Sequence, residues 1–182
     1  MDEKSLCFQL AECPRLFHCC TSAPVSASTR PNCYVKDDIK RVATSDFRAN
    51  GARYAMLGAV LGLIHHAEQG DLDATDPIPG QSSDPIHKIV SQPDIWELRW
   101  KIRGNPYRLY YAEDISEKPE FVGLSFVRKS TNGTSEEIRQ WQNQDAAQAQ
   151  ERYRHAQPFQ WGHTTKRKRC EYCFGDSISD LL

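Results

Sequence analysis

The chain has 182 residues, enough for one domain with tails or for two very small domains, and its 23 Lys and Arg nearly cancel its 24 Asp and Glu. That balance excludes a uniformly basic nucleic-acid coat while leaving room for a local basic site. The longest apolar run, 55–64, is too short to span a bilayer, and no apolar segment follows Asp2, Glu3 and Lys4 as a secretory leader would require, so the expectation is a cytoplasmic protein.

Residues 1–34 read as an irregular, Cys-rich extension, with a Ser-, Thr-, Ala- and Pro-rich stretch over 21–30 and one short strand over 5–10. Five of the seven cysteines stand here (Cys7, Cys13, Cys19, Cys20 and Cys33), and the other two are Cys170 and Cys173. An odd count without a secretory signal argues against a disulfide framework. The Cys170-Glu171-Tyr172-Cys173 spacing could supply half of a zinc site. Its other half would have to come from His163 or the distant N-terminal cysteines at no recognised spacing, so the reading is free thiols in loose ends and no metal.

From Lys36 the pattern turns helical, and Asn50-Gly51 separates a short first helix from a stronger one over 52–69, in which Tyr54, Leu57, Leu61 and Ile64 recur at helical steps. Gly70 is a natural stop, and Gly58 and Gly62 would let another element approach closely. Residues 71–85, with two Asp-Pro pairs, read as a loop. Three strands are expected over 95–103, 106–113 and 121–129, the first two joined by a type II′ turn at Gly104-Asn105 and the last two by a tight reversal at 116–119. Thr134 or Ser135 with Glu136-Glu137 then starts a helix to about 155, placing Ile138, Trp141, Ala149 and Tyr153 on one side, with Trp141 in the core. The domain proper spans 35–156, and 157–182 is an accessory tail, with Trp161 a satellite packing residue. The two ends, 1–30 and 160–182, show no core periodicity and are expected to be dispensable. The order gives an α+β fold: two N-terminal helices packed on a three- to four-stranded antiparallel sheet, with a C-terminal helix.

Counting outward from a turn at Gly104-Asn105 sets Lys101 opposite Arg108 and Arg99 opposite Tyr110. Alternation then puts Leu98, Trp100, Ile102, Tyr107, Leu109 and Tyr111 on a core face, joined by Val122, Leu124 and Phe126. The other face holds Arg99, Lys101, Arg103, Arg108 and Tyr110, with Gly123, Ser125, Val127 and Lys129 from the third strand. Cations around a hollow left by Gly123 and Ser125, beside an aromatic ring, are what a phosphate-backbone site needs. The competing reading is a solvated face that happens to be rich in Lys and Arg.

Trp96-Glu97-Leu98-Arg99, Tyr107-Arg108-Leu109-Tyr110-Tyr111, Phe126-Val127-Arg128-Lys129-Ser130 and Glu137-Ile138 together resemble the RelE/ParE superfamily of toxins, in particular its phage-derived HigB-like branch. The resemblance covers roughly 36–156. It implies the toxin of a type II toxin–antitoxin system, an endoribonuclease that cuts ribosome-bound mRNA without a metal or other cofactor. The implied partners are a cognate antitoxin, typically a helix-turn-helix protein, together with the ribosome and mRNA; operator DNA would be reached only through the antitoxin.

Carried onto this sequence, Arg108 matches the family's transition-state arginine. Arg99 and Lys101 match basic positions that hold RNA or assist proton transfer, and Arg128 and Lys129 match the basic pair that ends the last strand. Strand parity favours Lys129 as the member of that pair that faces the groove. The catalytic set is therefore Arg108, Lys129 and Lys101, with Arg99, Arg103, Tyr110 and Arg128 on the substrate. The chain departs from the branch over 130–135, where a segment one residue longer lacks the usual proline. A second reading on the same fold is a catalytically weak binding module, a ParE-like inhibitor or phage remnant, that acts by protein–protein binding.

Overall fold

The computed structural model of the chain describes residues 17–19, 33–72, 81–114 and 120–162. Its elements are β1 (Phe17–Cys19), α1 (Tyr34–Asp46), α2 (Asn50–Gln69), β2 (Gln81–Lys88), β3 (Trp96–Ile102), β4 (Asn105–Asp114), β5 (Glu120–Arg128) and α3 (Ser135–Ala156), followed by a 3₁₀ turn at Gln157–Gly162. The expected strand at 5–10, the reversal at 116–119 and the Cys170–Cys173 pair lie outside the described residues. The fold is α+β. Four strands, β2 to β5, pair antiparallel in sequence order, and β1 adds in parallel to the outer edge of β5. No helix among the described residues is long and apolar enough to cross a membrane.

One end of each helix has an identifiable cause. Cys33 caps α1, its Sγ accepting from the Lys36 N–H at 3.3 Å, so this buried residue is part of the packed fold rather than of a loose end. Gly70 closes α2 at φ 71°, the left-handed conformation expected of it. Thr134 and Glu137 form a capping box on α3. The α2 face is rotated from the expected one: Met56, Leu57, Val60, Leu63 and Ile64 are buried, whereas Tyr54 is 45% exposed. Among the described residues, none lies within 4 Å of where a Cβ would stand at Gly58 or Gly62.

Segment 81–88, whose first five residues were expected in a loop over 71–85, pairs with β3, and a register irregularity between Gln81 and Ile86 accommodates Asp84-Pro85. The β3–β4 turn also sits one residue earlier than expected. Arg103 (φ 51°) and Gly104 (φ 80°) both adopt positive φ, as a type I′ turn requires. Consequently Lys101 faces Pro106, and the like-charge pair is Arg99 opposite Arg108. The two faces survive this change, because it moves every cross-strand partner by two positions.

Each face of the sheet carries a core of its own. On one, α1 and α2 cover Leu98, Trp100, Tyr107, Leu109, Tyr111, Phe121 and Phe126, where the Tyr107 and Phe126 rings stack at 5.8 Å. On the other, α3 covers Tyr110, Ala112, Val122 and Leu124 with Ala146 and Ala149, and Trp161 stacks on Tyr153. The expected placement of Val122 and Leu124 under the first helices is therefore corrected. Between Tyr110, which faces Ser125, and Tyr111, which faces Gly123, β5 carries Leu124 as an extra residue. This β-bulge reverses the parity of everything before it.

Gly123 is consequently turned toward the first core, where the Phe17 ring fills its space; a Cβ there would lie 2.2 Å from Phe17 Cζ. The Phe17 N–H donates to the buried Glu68 carboxylate of α2 at 3.1 Å. Buried Phe17 and Trp161 thus pack with the domain from within the segments 1–30 and 160–182 that were expected to be dispensable. Trp141, expected in the core, is 37% exposed, its ring against Gly133.

Phe17→Ala should lower unfolding free energy by about 3–5 kcal/mol in urea titrations. Gly123→Ala should destabilise the wild-type chain and be tolerated in the Phe17→Ala background. Equal cost in both backgrounds would show that the ring does not occupy that space.

Candidate functional site

α3 packs over Tyr110, Ala112, Val122 and Leu124 and reaches Asp94 ahead of β3, and the same face of the sheet carries the charged residues of the hairpin. Parity brings Glu97, Arg99 and Lys101 of β3 to this side, together with Arg108 of β4 and Val127 of β5. Lys129, one residue past β5, is held there by its N–H, which donates to the Pro106 carbonyl at 2.9 Å.

Glu97 organises the group. Its carboxylate is 6% exposed and accepts from Arg99 Nε at 2.6 Å through Oε1, while Oε2 lies 3.3 Å from Arg108 Nε. Arg108 Nη1 donates to the Tyr107 carbonyl at 2.9 Å. Burial pulls the Arg108 guanidinium below its ordinary pKa, with Glu97 working against the shift. Lys129 is also lowered, first by burial and then by Arg108 and Arg99, while Glu97 opposes the change. Burial, followed by the charge of Glu97, pushes the Tyr110 hydroxyl up.

Of the residues singled out from sequence, Arg99, Arg108 and Lys129 come together, and Lys101 stands exposed on the same face. Arg103 is an exposed turn residue outside the strand. Tyr110, expected to stack on a base, is 1% exposed beneath α3. The expected hollow at Gly123 and Ser125 is absent: Phe17 fills the first, and buried Ser125 donates to Asp38 at 3.1 Å. Arg128 projects to the opposite face, as parity required, where it donates to Asn105 Oδ1 at 2.7 Å and pairs with Asp46 at 3.5 Å. Asp46 also accepts from the Tyr107 hydroxyl at 2.9 Å; burial and this bond push the tyrosine pKa up.

The residue missed from sequence is Glu97. Its parity with Arg99 and Lys101 assigned it to the cationic face, and its acidic type concealed that. Among the described residues, no three His, Cys, Asp or Glu side chains gather as metal ligands.

Beside this face an open cleft of about 510 Å³ lies between α1, the end of β5 and α3, lined in part by Asp38, Arg41, Asp46, Arg128, Asp145 and Arg152. Burial raises the Asp145 pKa to about 6, against the attraction of Arg41. Set against family models, curated proteins and solved structures, the chain matches none of them.

The Asp145 shift has a definite sign. A carboxyl whose folded pKa of about 6 exceeds the ordinary 3.8 favours folding below about pH 4, and that contribution is lost as pH rises through 6. Asp145→Asn should therefore be more stable than wild type near pH 7, by about 1–3 kcal/mol, and show no advantage below about pH 4. Denaturant titrations across this range check it; a constant difference at all pH values would contradict it.

Proposed function

We propose that the chain is a RelE/ParE-type toxin of the phage-derived HigB-like branch, a metal-independent, ribosome-dependent mRNA endonuclease that arrests translation. The observation that carries this reading is the collection of Arg99, Lys101, Arg108 and Lys129 on one sheet face, Arg99 and Arg108 half-buried beside Glu97 and Lys101 exposed, with Arg128 on the opposite face. The motif resemblance supports the same reading. A helix-turn-helix antitoxin would be its partner and would provide its only route to operator DNA.

The reaction proposed is attack of a ribose 2′-oxygen on the adjacent phosphorus, breaking the bond to the 5′-oxygen and leaving a 2′,3′-cyclic end. The 2′-hydroxyl proton passes to solvent, and the departing 5′-oxygen takes one from a general acid. Arg108 stabilises the phosphoryl oxygens. Lys129 is the better proton donor of the two lysines, since burial and two guanidiniums bring its pKa down toward that role. Lys101, exposed at the rim, and Arg99 hold the RNA backbone.

Arg108 is also a partner of buried Glu97, so Arg108→Ala costs stability, and Arg108→Lys, which keeps the charge without the fork, is its necessary companion. Expressed without antitoxin, the wild type should cut cellular mRNA in a ribosome-dependent way, read by primer extension. Both Arg108 variants should lose about 10²–10³ in cleavage while remaining folded by circular dichroism, and Arg128→Ala should lose little. Growth arrest with intact mRNA would reject the nuclease and leave the binding module.

A further inference from the structure

The hairpin register sets Arg99 directly opposite Arg108, an arrangement in which two guanidiniums repel. Both turn instead to one buried carboxylate. Burying Glu97 is costly unless it is paired, and a face selected only for positive charge gains nothing from it. What Glu97 supplies is orientation. With Nε on Glu97 and Nη1 on the Tyr107 carbonyl, Arg108 is fixed at two points, and its Nη2 has no protein acceptor among the described residues. Arg99, also on Glu97, is held alongside.

We propose that Glu97 is the positioning residue of this face, presenting Arg108 Nη2 to a phosphodiester oxygen of single-stranded RNA, so that recognition depends on the placement of the arginine pair rather than on the amount of positive charge. The RNA ligand rests on the function proposed above; the positioning of the arginines does not.

The two ideas, positioning and charge, predict opposite signs for Glu97→Gln. That variant raises the charge of the face by one, which by electrostatics alone strengthens RNA binding. Positioning predicts that affinity for a short fluorescein-labelled single-stranded RNA, read by anisotropy with the full chain, falls about tenfold. Glu97→Asp keeps the charge and withdraws the carboxylate by one methylene; positioning predicts weaker binding there too, whereas charge alone predicts no change.

A second arm needs no RNA. Nitrogen-15 spectra of the wild type should show protected Nε–H signals for Arg99 and Arg108 that are lost in Glu97→Gln. Over the same samples the Lys129 titration should move to lower pH, because the carboxylate that supported its charge is gone. Tighter RNA binding by Glu97→Gln, or retained arginine signals, overturns the proposal, as does failure of both variants to fold, which would make Glu97 purely structural. If the wild type binds no RNA, the proposed function fails, and the arginine and Lys129 signals alone decide whether Glu97 positions the pair.

Discussion

The carboxylate of Asp38 joins the three layers of the molecule. From α1 it accepts from the Phe126 N–H at 3.1 Å, which β5 presents at its outer edge where β1 has already ended, and from Ser125 Oγ at the same distance. From the far side of the sheet it accepts Arg152 Nη1 of α3 at 2.7 Å, and that nitrogen also donates to the Leu124 carbonyl at 2.8 Å. Leu124 is the bulge residue, whose carbonyl is outside the regular ladder. One buried ion pair therefore satisfies the strand edge and the bulge, and fixes the place where α3 crosses. Removing either partner would leave a buried charge alone, a loss of about 3–5 kcal/mol.

The rest of the site's geography follows from that anchor. The bulge turns Val122 and Leu124 toward α3, which gives the second face a core of its own. Arg152, over the Tyr34 ring at 4.5 Å, holds α3 near the β5 edge, where the helix covers Tyr110, while Arg99 and Arg108 stay half-buried and Lys101 exposed on the same face. Glu97 and Tyr110, directly paired across β3 and β4, mark the border between the covered and charged parts. A face wholly solvated would not bury a glutamate, and a face wholly covered would not tolerate four cations. The half-covered sheet accommodates both.

Much of this was legible in the sequence, for reasons that can be named. A period of two along β3 and β4 sets Trp96, Leu98, Trp100, Tyr107, Leu109 and Tyr111 apart from Arg99, Lys101 and Arg108, so the faces of these strands could be read even with the turn misplaced and Arg103 counted in a strand. The helix stop at Gly70 and the cap at Thr134 are local signals that tertiary context does not override. The bulge at Leu124 has no local signature, because nothing in Val122-Gly123-Leu124-Ser125 shows that one residue goes unpaired. β2 was hidden by Asp84-Pro85, which reads as a break and is tolerated at an irregular sheet edge. The role of Asp38 depends on Arg152, 114 residues away, and no spacing rule reaches that far. Tyr110 was placed on the correct face and still misjudged, since parity shows which way a ring points and not whether a helix lies over it.

Titration of the isotope-labelled chain with a short single-stranded RNA, followed residue by residue by NMR, tests the central claim most directly. Shifts should concentrate on Arg99, Lys101, Arg108 and Lys129, with Arg128, Asp46 and the Asp145 cleft unmoved. A footprint centred on that cleft, or none at saturating RNA, would contradict it.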